Sequence, residues 1–72
     1  MRDAIDYVID RLPRTDVFTA VDCAIALDHD VRTIVSRIRD KTYAGCKQGP
    51  RRWIVTRESV IANLRKTAED SL

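Results

Sequence analysis

Histidine occurs once in this chain, at His29, and cysteine only twice, at Cys23 and Cys46. The two cysteines lie far apart and no C-x-x-C or H-x-x-x-H pairing is present, so no set of zinc ligands is spelled out and no metal or other cofactor is expected. The same shortage weighs against catalysis. Neither His29 nor either thiol has a partner at a spacing that would make a nucleophile or a general base, and the chain reads as a non-enzyme. One disulfide is the most that two cysteines allow. The apolar stretch Cys23-Ala24-Ile25-Ala26 reads better as a buried thiol in a reducing compartment. Long apolar runs are also missing: none approaches the roughly 20 residues that span a bilayer. The N-terminus alternates charge with apolar residues where a signal peptide is continuously apolar, so a cytoplasmic location is expected.

What is there is enough for one small folded domain spanning residues 1–72. Hydrophobic residues make up 44% of the 72 residues and charged ones 33%, with both signs present, which argues against a disordered tail. A chain of this length buries only about 60% of its unfolded surface, so the core is small. The net charge of +2 hides a strong asymmetry. Residues 1–30 carry three basic and seven acidic side chains, residues 31–57 eight against one, and residues 58–72 two against three. A block with net +7 inside a folded domain implies a polyanionic partner, because clustered Arg and Lys gain free energy from counterion release. An ordinary solvated charged face is the competing reading of the same composition.

Periodicity organises the chain. Ile5, Val8, Ile9 and Leu12 fall at helical spacing with Asp3, Asp6 and Asp10 on the other face, predicting an amphipathic helix over 1–13 that Pro13 stops. Arg14, Thr15 and Asp16 form a polar link. Thr19 caps a second helix, Ala20 to Leu27, which ends at Asp28-His29-Asp30. Asp30 caps a third, Val31 to about Lys41, with Val31, Ile34, Val35 and Ile38 as its buried stripe. The opposite face interleaves Arg32, Thr33, Ser36, Arg37 and Arg39, opposed only by Asp40. A strand over Tyr43 to Lys47, a turn at Gln48-Gly49-Pro50-Arg51 and a strand over Arg52 to Val55 make a hairpin with Lys47, Arg51 and Arg52 at its tip. Trp53 and Val55 share the inward face, Ile54 alternates outward, and Tyr43 packs partly into the core. Thr56 caps a closing helix over 57–67 that carries Val60, Ile61 and Leu64, and the last few residues fray. The expected class is mainly α with a small two-stranded β-hairpin. Its segments are an N-terminal helix (1–13), a helix-turn-helix (17–41), a hairpin wing (43–56) and a C-terminal helix (57–67).

That order is the order of a winged helix-turn-helix with an additional N-terminal helix. From Val17 to Leu64 the sequence also resembles the excisionase-like branch of the MerR-type family. The resemblance rests on Phe18-Thr19, Ala24 and Leu27, Arg32-Thr33-Ile34, Gly49 through Trp53-Ile54-Val55, and Arg57-Glu58. Two departures stand out: Asp28 replaces a glycine common in the turn between the paired helices, and Lys41 or Thr42 replaces one common after the third helix. Val21 and Ile25 further put an apolar pair on a face the family usually leaves polar. The first helix, with its own apolar stripe, is the expected cover, and a homodimer interface is the competing one.

The resemblance implies binding to double-stranded DNA by a recombination directionality factor, which binds repeated attachment sites and bends them to steer an integrase. In that reading Arg32 and Arg37 contact guanine edges, Thr33 and Ser36 hold phosphates, and Lys47, Arg51 and Arg52 grip the adjacent backbone or minor groove. Arg39, Lys41 and Arg57 add to the field. Two alternatives remain beside it. One is a small transcriptional regulator, dimeric on a palindrome. The other is a protein-interaction module that uses the first helix, with the basic block meeting an acidic partner.

Overall fold

In the computed structural model, residues 4–70 are described, with side chains as far as Ala68. Asp3 and the expected fraying at residues 71 and 72 lie outside the described residues. The elements are α1 (Ala4–Arg11), β1 (Val17–Thr19), α2 (Ala20–Leu27), α3 (Val31–Arg39), β2 (Gly45–Lys47), β3 (Trp53–Thr56) and α4 (Arg57–Asp70). The described residues thus form four helices and a three-stranded antiparallel sheet of order β1-β3-β2. Among the described residues, no helix is long and apolar enough to cross a membrane.

Local chemistry sets the helix boundaries. The Thr19 hydroxyl accepts a hydrogen bond from the Asp22 amide at 3.1 Å and opens α2. The Asp30 carboxylate accepts one from the Arg32 amide at 2.9 Å and opens α3. The Thr56 hydroxyl accepts one from the Ser59 amide at 3.3 Å and opens α4. Each side chain satisfies a donor that the first helical turn leaves without an intrahelical partner. Asp28 closes α2 in the left-handed region, at φ 56° and ψ 43°. Its amide donates to the Ile25 carbonyl, and the His29 amide donates to Ala24 at 2.9 Å. Only residues 28–30 separate α2 from α3, so the two helices turn tightly on each other.

The sheet corrects the expectation of two strands. Val17–Thr19 reads as the opening of the helix-turn-helix segment with Thr19 as its cap, yet it forms a third strand, with Val17 opposite Thr56, Phe18 opposite Val55 and Thr19 opposite Ile54. Three residues offer too little alternation to announce a strand. What makes the strand is the free edge of β3, whose amides and carbonyls need partners beside the core. On the other edge Gly45, Cys46 and Lys47 pair with Val55, Ile54 and Trp53. Gly45 is required there: a Cβ on it would overlap the Ile54 carbonyl oxygen and stand 3.1 Å from the Val55 Cα. The hairpin strands are shorter than expected. Tyr43 precedes β2, and Arg52 belongs to the connection, which runs over residues 48–52 and is closed by the Gln48 amide on the Arg52 carbonyl at 2.7 Å. At its end α3 stops at Arg39, two residues before Lys41, while α4 continues to Asp70, three past the expected 67.

The core lies where α2, α3 and α4 meet the inner face of the sheet. Tyr43, Ile34, Val55, Val60 and Cys23 are its largest fully buried side chains, joined by Phe18, Ile38 and Leu12. Tyr43 is thus a core residue, packed further in than its place beside a strand suggests. Both cysteines are free, Cys23 buried and Cys46 exposed on β2.

The expected cover for Val21 and Ile25 is not where the sequence reading puts it. α1 packs on α2 and α4 with Val8 against the core, and Leu12, just past its end, enters the core. Val21 and Ile25 nevertheless remain 56% and 67% exposed. The short α2 already buries Ala20, Cys23, Ala24, Ala26 and Leu27, which take up most of its circumference. α1 touches it where the Arg11 guanidinium donates to the Ile25 carbonyl oxygen at 3.2 Å.

Candidate nucleic-acid interface

The outward ridge of α3 follows from its buried one. With Ile34 and Ile38 anchored in the core, residues 32, 36 and 39 turn away from it at helical spacing, and Arg32, Ser36 and Arg39 are all exposed. Thr33 and Arg37 flank this ridge on one side, next to Asp40 and Thr42. Val31 and Val35 flank it on the other. Helical spacing places Val31 inside the buried stripe, but the structure does not. As the first residue of α3 it projects past the core's edge and is 38% exposed.

The basic side chains are not all free arms. Arg37 is half-buried with its guanidinium over the Tyr43 ring, 5.8 Å from the centroid. Tyr43 in turn donates its amide to the Arg37 carbonyl at 3.1 Å, so backbone and ring hold this arginine together. Burial pushes the Tyr43 phenol pKa up, against the opposing pull of the Arg37 cation. Asp40, the one acid of the basic block, is occupied locally. Its carboxylate accepts from the Thr42 hydroxyl at 2.6 Å and the Thr42 amide at 2.9 Å, and these bonds hold its pKa below the usual carboxylate range.

A second aromatic ring organises the other side. Trp53 on β3 is half-buried, with the Arg39 guanidinium 5.3 Å and the Lys47 ammonium 5.8 Å from its centroid. Arg39 ends α3, and Lys47 ends β2 directly opposite Trp53. One indole therefore gathers a cation from the helix and a cation from the hairpin, each attracted to the negative face of the ring. Arg39 is thus part of a built contact rather than a source of field alone, and Trp53 does more than fill the core. Sequence reasoning missed both ring contacts. The signal available was the pairing of Lys47 with Trp53, which a hairpin with a five-residue connection brings face to face.

Beyond Trp53 the hairpin connection carries Arg51 and Arg52, both exposed. They line a groove with Trp53, with Val31 at the start of α3, and with Val21 at the start of α2. The sequence-derived set is thereby brought to one side of the molecule around α3 and the hairpin. Arg32, Ser36 and Arg39 form the ridge, Thr33 and Arg37 one flank, Arg51 and Arg52 stand across the groove, and Lys47 lies on β2 beside the Trp53 ring. Arg57 stands apart at the start of α4, where its amide donates to the Asp16 carbonyl at 2.9 Å and its Nε is buried without a hydrogen-bond partner. Among the described residues, no three His, Cys, Asp or Glu side chains converge as a metal site. Comparison of the chain with protein-family models, curated proteins and solved structures gives no match.

Proposed function

We propose that this chain is a winged helix-turn-helix protein that binds double-stranded DNA, with α3 in the major groove and the β2–β3 hairpin as a wing on the adjacent backbone. The observation that carries the reading is the convergence on Trp53. A helix-borne arginine and a hairpin-borne lysine share one ring, and Arg51 and Arg52 stand across a groove from the helix N-terminus. Helix and hairpin thus each present cations beside a groove that Val21, Asp22 and Val31 also line, and a duplex offers phosphates on both sides of the groove into which such a helix fits. Short side chains at Thr33 and Ser36 allow close approach, while Arg32 and Arg37 have the planar fork that matches guanine O6 and N7.

Within DNA binding, the resemblance to excisionase-like proteins favours a recombination directionality factor that bends attachment-site DNA for an integrase. The alternative is a small transcriptional regulator. Site selection from random duplexes followed by footprinting tests the reading. Protection of repeated sites in direct orientation, with bending of the duplex, supports the architectural role. Protection of a palindrome by a dimer turns the assignment to a regulator, and no protected site at all removes it.

A further inference from the structure

Val31 opens α3 with 38% of its surface exposed, and half-buried Val35 lies one turn behind it. The two valines line a shallow depression with Arg32, Ser36 and Arg39. Val31 also lines the groove with Trp53, Arg51 and Arg52, in which Val21 and a single acid, Asp22, sit on the α2 side. An apolar strip is thus set among four arginines, Arg32, Arg39, Arg51 and Arg52, in the segment that carries net +7. Two requirements fall on whatever covers it: the surroundings must be anionic, and the group in contact must be apolar. The major groove of DNA meets both, because its walls are phosphates and the one apolar group on its floor is the 5-methyl of thymine. In a helix-turn-helix docked on DNA, the N-terminal residues of the second helix meet the base edges, and Val31 is the first residue of that helix.

We propose that Val31, backed by Val35, contacts thymine methyl groups and makes the chain selective for thymine at the bases facing the start of α3. This rests on the DNA-binding reading and adds a base preference to it. It assigns the apolar flank of α3 a task separate from that of the arginine ridge.

The test alters the DNA rather than the protein, so folding does not enter. In the highest-affinity duplex from site selection, each thymine is replaced in turn by deoxyuridine, which lacks only the 5-methyl group, and affinity is measured for the full chain. The expected result is a loss of about fourfold at one or two positions, the scale of one methyl group removed from water. Val31→Ser, at an exposed position, should bind thymine and uracil duplexes equally at those positions. Equal affinity for thymine and uracil everywhere in the wild-type protein, with a selective footprint intact, overturns the proposal and leaves the DNA-binding reading standing. A full thymine preference retained in Val31→Ser overturns it as well. So does self-association in the absence of DNA that Val31→Ser abolishes, since a second copy would then cover the strip. Absence of duplex binding at any salt removes the DNA-binding reading and the thymine preference together.

Discussion

Lys41 and Asp28 both adopt positive φ, at 71° and 56°. The left-handed region costs an ordinary L-residue about 1–2 kcal/mol, whereas Asp tolerates it better than most. Glycine gives back roughly 0.4–1 kcal/mol of that through the greater entropy of the unfolded chain. Lys41→Gly is therefore expected to stabilise by about 0.5–1 kcal/mol in urea unfolding, and Asp28→Gly to change stability by less than about 0.5 kcal/mol. Cys23 supplies a second residue-level prediction. Burial pushes its thiol up to about 11. Below about pH 8.5 folded and unfolded chains both keep this proton, but above it the unfolded thiol ionises first. The unfolded state then binds fewer protons, so stability falls as pH rises from about 8.5 toward 11, by an amount of order 2 kcal/mol. Tyr43, also raised by burial, adds to the loss at the upper end. Denaturant midpoints across pH 8–11 should show the decline, and Cys23→Ala should flatten its lower part.

In the proposed DNA-binding reading the elements divide the work of recognition, and the division can be tested. Arg32 and Arg37 lie on α3, Arg37 held over Tyr43, whereas Arg51 and Arg52 extend from the hairpin connection. Arg32→Ala and Arg37→Ala should each narrow the gap between preferred and random duplexes by about 1–3 kcal/mol. Arg51→Ala and Arg52→Ala should weaken every duplex alike and reduce the salt slope by about 1 each. Parallel titrations of both duplexes decide this, and identical behaviour of all four variants would contradict the division. Elements whose cause is local were legible in the sequence. The caps Thr19, Asp30 and Thr56 and the turn residue Asp28 act within a few residues of themselves, and both ends of α2 and the starts of α3 and α4 hold. β1 was not legible, because Val17–Thr19 becomes a strand through β3, far along the chain. The exposure of Val21 and Ile25 was hidden for a similar reason: it depends on where α1 lands on α2 and α4, which periodicity alone does not specify.

At the scale of the whole molecule, charge is segregated along the chain, with net −4 over residues 1–30 and net +7 over residues 31–57. The cationic surface was legible as a set of residues, since α3 and the hairpin each declare their basic positions. Its assembly was not, because the shared Trp53 ring and the groove between Val31 and Arg51 exist only once the hairpin folds back along α3. The measurement that tests the central claim most directly is the affinity of the purified chain for labelled random-sequence duplex DNA across a range of salt. Binding with a slope of log affinity against log salt of about −4 to −6, the release expected for roughly five or six neutralised phosphates, is the result predicted for helix and hairpin engaged together. No binding even at low salt would contradict it.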